Sequence, residues 1–515
     1  MTEIVGSSRP RRLLGGYAPL VVAVVALAAV VVVFPSRAPE KEDAADVSTG
    51  IEGESATGWG DTVTACPDGG RQVPDDPYSP PCFAFEGDNG GATSQGVTAD
   101  SITVTYRQTA EVNTLALLAQ LMEIPFDETS EDLQRTMAGL VDYFNENFQF
   151  YGRQIDLEVY GGAGLLTAEL TGGGQEAART DALKAGSELH AFADVTATSQ
   201  PYAEALVQQD VVAFGAPYMS RRWFTDRRPY AWSIVSDCSV VAETGSTYGM
   251  RRLFNRPAIY AGGALQDEER RLAIIAPNNP EYQRCASDGL AVLDDNGIEP
   301  TLVTDYVLDL ARITEQAASI SAQLVSNDIT TISCFCDPFM VMNLTQQIDA
   351  QGLQPEWVVA GVGFVDLDLI GQGLQKKTDQ WTRAFGASPL PEQLPPSESP
   401  GYQAYTSVRD DEPSVMVDVL YYQLYQLALG IQMAGPDLTP ETMETGLFSY
   451  PEATGPAGTW DYFPESYTPT VDIREVWWDP EATSPFNGEK GTYVTSGERI
   501  RPADLADGQP EVFGR

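Results

Sequence analysis

The chain has 515 residues, 43% of them hydrophobic, enough to bury two or three cores of ordinary size. Its 73 acidic residues outweigh 31 lysines and arginines for a net charge of −42. Such a surface repels nucleic-acid backbones and disfavours docking on anionic lipid. The single histidine, His190, excludes multi-histidine metal sites and leaves any Ser-His-Asp or Cys-His mechanism one base to use. It closes the helical pattern GSELH, where a C-terminal cap or a surface position is the simpler reading. There is no G-x-S-x-G, P-loop, H-E-x-x-H or complete G-x-G-x-x-G. The chain therefore reads as a non-enzyme, without cofactor or metal.

Arg9, Arg11 and Arg12 precede an apolar run from Tyr17 to Phe34, about 18 residues and just enough to cross a bilayer. Positive charge on its N-terminal side predicts an amino terminus inside and an exported body. Residues 1–38 read as an uncleaved signal anchor rather than a cleaved peptide. Ser36-Arg37-Ala38 has cleavage-like spacing, but Pro39 would follow the cut. Residues 39–95, rich in Pro, Gly, Asp, Glu and Ser without periodicity, read as a linker. Cys66 and Cys82 lie in it, and an oxidising compartment predicts that they pair. Of Cys238, Cys285, Cys334 and Cys336, one further bridge is expected; Cys285 with Cys334 or Cys336 is one candidate, but six cysteines allow 15 pairings and the sequence does not choose among them. The C-x-C ends an apolar strand pattern that would turn its two side chains to opposite faces.

From Gly96 the texture alternates between strand and helix. SITVTY is a strand, and ETSEDLQRTMAGLVDYFNENF a helix with Leu133, Met137, Leu140, Val141 and Phe144 on one face. IDLEVY is a strand, and QEAARTDALKAGSEL a helix. The stretch Ala191–Ser220 then reads as strand AFADV, polar turn, helix PYAEALVQQD opened by Pro201, and strand VVAFGA, one right-handed βαβ unit. Thr196, Thr198, Ser199, Ala216 and Tyr218 fall at the carboxyl ends of its strands, where ligands sit in open α/β sheets.

A second series follows: RLAIIAP, a helix from Tyr282 to Asp295, LVTDYV, a helix Ile313–Leu324, TTISCF, a helix Val341–Gly352, and EWVVAG. Two α/β lobes in series are predicted. Gly373–Gly401 shows poor periodicity. SVMVDVLYYQLYQLALGIQMAG is the best helix, with Val417, Leu420, Leu424, Leu427 and Ile431 on one face, and Thr439-Pro440 opens another. VDIREVWWDP and GTYVTSGERI read as two closing strands, with at most one of Trp477 and Trp478 buried.

This order, carried by LVDYFNENFQFYGRQIDLEVY, FADVTATSQPYAEAL, RLAIIAPNNPEYQRCASDGL, IDAQGLQPEWVVAG and VDVLYYQLYQLALGIQMAG, resembles the type I periplasmic-binding-protein family, in particular the leucine/isoleucine/valine-binding-like solute receptors of ABC transporters. The resemblance covers nearly everything after residue 95. It implies an α/β Venus-flytrap of two doubly wound parallel-sheet lobes, 96–235 with 372–463 and 236–371 with 464–515, crossed near Ile234, Gly371 and Pro464. It implies ligand contacts at Thr196, Thr198, Ser199, Ala216, Pro217 and Tyr218 in the first lobe. In the second they are Asn278, Asn279 and Tyr282, then Cys336-Asp337, Gly363 and Phe364. The chain departs from the family in a long stretch from Arg107 to Phe126, and in Phe364 where amino-acid binders place an acidic residue, with Asp366 two residues on.

The function these features predict is capture of a small polar solute (an amino acid, amide or small organic acid) and delivery to the permease subunits of an ABC transporter. The protein would be held at the cell membrane through residues 17–34, with an extracytoplasmic body. The alternative is a membrane-anchored ligand sensor or scaffold on the same fold.

Overall fold

The computed structural model describes residues 62–67, 69–110 and 128–514. The expected anchor at 17–34, the linker before Thr62 and most of the stretch from Arg107 to Phe126 lie outside them. Among the described residues no helix is long and apolar enough to cross a membrane. Ser55–Arg515 forms one compact unit.

Two sheets organise that unit. In the first lobe the strands β3 (Ser101–Gln108), β4 (Gln154–Gly161), β5 (Ala193–Asp194), β6 (Val212–Phe214) and β7 (Ala231–Trp232) are all parallel, in the order β4-β3-β5-β6-β7. In the second lobe β8 (Leu272–Pro277), β9 (Leu302–Tyr306), β10 (Thr331–Cys334), β11 (Glu356–Val359) and β12 (Ala384–Ser388) repeat that order as β9-β8-β10-β11-β12. A hairpin of the strands Ile473–Thr483 and Lys490–Ile500 joins antiparallel beside β12. Each lobe thus has the 2-1-3-4-5 winding whose order reverses beside its first strand, and that reversal opens a crevice at the carboxyl ends.

The strands form where apolar, β-branched side chains run uninterrupted: LAIIAP is buried throughout. The helix Val417–Ala434 packs on the helices Ser130–Asn147, Pro400–Val408 and Pro440–Phe448, and buries fifteen of its eighteen residues. Its even burial explains why the single apolar stripe read from the sequence was too narrow. Trp478 is buried and Trp477 only partly. His190 is exposed with φ +52°, just past the helical segment it follows.

Three features depart from expectation. Residues 62–95 are not a linker. The short antiparallel pair β1 (Val63–Ala65) and β2 (Phe83–Phe85), tied by Cys66–Cys82, belongs to the first lobe. Its anchor is Tyr78, stacked on Trp460 at 4.4 Å and donating to the Gly458 carbonyl at 2.6 Å. A few aromatics and one disulfide supply the hold that no periodic pattern announced.

Second, β12 lies in the second sheet, beyond the crossing expected near Gly371. The chain returns to the first lobe between Ser388 and Pro400. Gly386 makes the strand possible, because a Cβ there would sit 2.0 Å from the Val359 carbonyl oxygen.

Third, Cys285 pairs with Cys238, and Cys334 with Cys336. The first bridge joins two packed helices, Cys238–Tyr248 and Pro280–Asp294. In the second, β10 ends at Cys334, so strand alternation does not reach Cys336 and the Cα atoms come within 5.0 Å.

Candidate functional site

At the carboxyl ends of β3 and β5 the first lobe carries a buried polar network. Asp194 accepts from the Thr105 hydroxyl at 2.7 Å, the Tyr202 hydroxyl at 2.7 Å, and Thr196 through both N–H at 2.8 Å and Oγ1 at 2.7 Å. Burial pushes its pKa up, and these donors pull it the other way. Arg107, at the end of β3, makes a two-pronged pair with Glu169 at 2.9 Å on each prong and reaches Asp181 at 3.2 Å. Its guanidinium lies 3.6 Å above the Tyr202 ring. Ser199, the residue before the helix Gln200–Val207, makes no side-chain cap and donates to Glu169 instead.

Beyond β6 the chain turns tightly at Gly215, where a Cβ would meet the Gln423 amide nitrogen at 2.7 Å. That amide donates to the Val195 and Phe214 carbonyls. Tyr218 follows with φ +55°.

In the second lobe Asn279 and Asp337 each cap a helix. Asn279 accepts from the Glu281 N–H. Asp337 accepts from the N–H groups of Phe339 and Met340 and from the Tyr306 hydroxyl. Gly363, at φ +64°, passes so close to the Cys336 carbonyl that a Cβ would lie 2.7 Å from it. Phe364 follows with φ +58°. The two left-handed aromatics meet across the lobes: Tyr218 and Phe364 pack edge to face at 5.4 Å, and the Phe364 N–H donates to the Tyr218 hydroxyl at 3.2 Å. Ser220 donating to Glu281, and the Arg221–Glu243 pair at 2.8 Å, add two more ties between lobes.

Between the lobes lies a cavity of about 1030 Å³. Of the residues named from the sequence, Thr196, Thr198, Pro217, Tyr218, Tyr282, Asp337, Gly363 and Phe364 line it. Ser199, Ala216, Asn278 and Asn279 do not: Ser199 and Ala216 are buried behind the wall, Asn278 points to solvent, and Asn279 is spent as a cap. Cys336 is buried in its disulfide. Much of the wall is apolar, including Tyr106, Leu133, Phe335, Leu310, Val419 and Trp460. Sequence reasoning named none of these as site residues, because an apolar side chain carries no ligand signal of its own.

No family model and no curated protein matches the chain. Solved structures do. An ABC-transporter solute-binding protein from Rhodopseudomonas palustris, in complex with p-hydroxybenzoic acid, matches with TM-score 0.53 at 11% identity, over 81% of this chain and 100% of its own. A leucine-binding protein from Thermotoga maritima matches with TM-score 0.52 at 11% identity, over 79% and 100%. A leucine-, isoleucine-, valine-, threonine- and alanine-binding protein from Brucella ovis, in a closed conformation, matches with TM-score 0.51 at 11% identity, over 79% and 97%. At these identities the likeness is one of fold, the two-lobed α/β fold of ABC-transporter solute-binding proteins.

Proposed function

We propose that this chain is an extracytoplasmic solute-binding protein that captures a small molecule between its lobes and delivers it to an ABC permease. One observation carries the reading: two lobes of identical strand order turn their switch-point crevices toward a single cavity of about 1030 Å³. The fold neighbours are binding proteins, with ligands that range from leucine to p-hydroxybenzoic acid. Three disulfides suit an oxidising compartment and so support export; the apolar run at 17–34 would supply the membrane anchor.

The solute class expected from sequence was an amino acid, amide or small organic acid. The apolar wall favours a solute with an apolar body, held by a hinge equilibrium that the ligand shifts toward closure.

Thermal unfolding of residues 55–515 against a solute library tests the reading. A ligand at about a hundred times its Kd adds roughly 2.7 kcal/mol, and Tyr218→Ala should abolish that gain. A folded protein that no solute stabilises would overturn solute capture. Binding without transfer to a reconstituted permease would leave ligand sensing as the function.

A further inference from the structure

We infer that the cleft takes an organic amine with an apolar body, its cationic head seated at Glu128 and a neutral oxygen of its body bonded by the Nε of Arg107. This choice of ligand class rests on the solute-capture reading and narrows it.

The fold leaves two polar atoms of the cavity wall without partners. Arg107, at the end of β3, and Glu128, just before the helix Ser130–Asn147, both line the cavity from the first lobe. Arg107 is only 4% exposed, yet its Nε finds no acceptor. Glu128 accepts from the Val415 N–H at 3.2 Å through Oε1, while its Oε2 is buried without a donor. Buried polar atoms rarely stay unpaired, because each has given up its bonds to water. Two of them on one cavity wall mark where a solute completes the bonding.

The two atoms call for different partners. Glu169 takes both prongs of the Arg107 guanidinium and Asp181 a third contact, so one cation already faces two carboxylates. A ligand carboxylate at Nε would add a third negative charge there. A carbonyl or hydroxyl oxygen fills the same bond without it. Glu128, which meets a neutral N–H among the described residues, calls for a donor, and a cationic donor makes the stronger, charge-assisted bond.

The rest of the lining points the same way. Asp337 and Asp418 accept from backbone N–H groups, and burial raises their pKa, which weakens them as rivals for the head. Glu392, Glu489 and Lys376 are exposed and solvated. Tyr106, Tyr422 and Trp460 on one lobe and Phe335, Phe339 and Phe364 on the other supply aromatic rings, whose faces attract a cation and offer an anion nothing. A chain of net charge −42 also gathers cations from solution.

Calorimetry on residues 55–515 with three matched probes tests the inference: the amine tyramine, the neutral 4-hydroxyphenylacetamide and the anion 4-hydroxyphenylacetate. One tyramine should bind per chain, about tenfold tighter than either counterpart. Glu128→Gln keeps an oxygen for the Val415 N–H and should erase that preference with no fall in melting temperature. Glu131→Gln, an equal loss of charge at an exposed residue outside the lining, should preserve it. Phenethylamine, which lacks the phenolic oxygen, should bind more weakly than tyramine.

A preference that survives Glu128→Gln, or that Glu131→Gln removes as well, would overturn Glu128 as the seat. Phenethylamine binding as tightly as tyramine would overturn the part given to Arg107. The amide or the anion binding as tightly as tyramine would overturn the ligand class. So would an uncharged or anionic hit from the solute library when tyramine does not bind, and solute capture would then stand. A library amine that binds where tyramine does not supports the class if Glu128→Gln weakens it about tenfold, and overturns the seat otherwise. Binding of neither the probes nor any library solute would overturn solute capture itself.

Discussion

In the first lobe the cleft edge is held by buried charge: Arg107 between Glu169 and Asp181, and Asp194 under the Thr105, Thr196 and Tyr202 donors. In the second lobe, at corresponding positions of the same winding, Cys334–Cys336 closes the end of β10 and Cys238–Cys285 pins the helix that follows β8. The two devices fail differently. A buried ion network stabilises the folded state only while every member has its partner, whereas a disulfide acts mainly by restricting the unfolded chain. The first wall should therefore be brittle to single substitutions, and the second to reductant.

The largest effect should come from Arg107→Met. It strands Glu169 and Asp181 without a counter-charge in a site where the arginine and glutamate side chains are 1% and 0% exposed, and should cost about 3–5 kcal/mol. Hydrogen exchange should show the loss in β3, β4 and β5 while β8, β10 and β11 keep their protection. A loss below about 1 kcal/mol, or one spread evenly over both sheets, would break the contrast between the walls.

Next in size is Cys238→Ser with Cys285→Ser. The bridge spans 47 residues, which the chain-entropy model values at about 4 kcal/mol. Cys334→Ser with Cys336→Ser, spanning 2, should cost only about 1.5 kcal/mol on the same model. Denaturant melts of the two double variants measure the ratio. Equal losses would mean that the short bridge acts through the folded wall rather than through the unfolded chain.

The crossing between the lobes offers a pH probe. Asp237 caps the helix Cys238–Tyr248, and burial pushes its pKa from 3.8 up to about 6, against the Val240 N–H and the pull of Arg221. A raised folded-state pKa means that the folded protein holds the extra proton between about pH 4 and 6. Stability from this group is therefore full below that window and falls as pH rises through it. Two units at about 1.36 kcal/mol each set a scale of roughly 2–3 kcal/mol. Asp237→Asn keeps a capping oxygen and removes the titration. The wild type should lose stability relative to it between pH 4 and 7, as melts at several pH values would record, and parallel curves would sink the assignment.

How much of this the sequence announced follows from the range of the forces involved. Periodicity is local, so the alternating strands and helices of both lobes were legible from residues such as LAIIAP and the stripe of Leu133, Met137 and Leu140. The strand AFGAS was not, because its fit depends on Gly386 meeting Val359, 27 positions earlier in the chain. The same holds for Tyr78, whose partners Gly458 and Trp460 lie far along the chain. For the cleft, the loops were legible and the chemistry of their side chains was not. Thr196 and Ser199 look like free hydroxyls until Asp194 and Glu169 are seen to take them.

The smallest effect sharpens the comparison most locally. Ser199 and Asp337 stand at the same place, before the helix that follows β5 and β10 respectively. Asp337 caps its helix with two N–H bonds, so Asp337→Ala should cost about 1 kcal/mol whatever happens in the opposite lobe. Ser199 makes no cap, and Ser199→Ala removes a hydrogen bond to an ionised carboxylate, worth about 1.5 kcal/mol. That loss should vanish once Glu169→Ala has removed the acceptor. A double-mutant cycle on chemical melts therefore separates the two serving roles: strong coupling of Ser199 to Glu169, and none of Asp337 to Glu169. If Ser199→Ala costs the same with and without Glu169, the residue acts as a local cap after all.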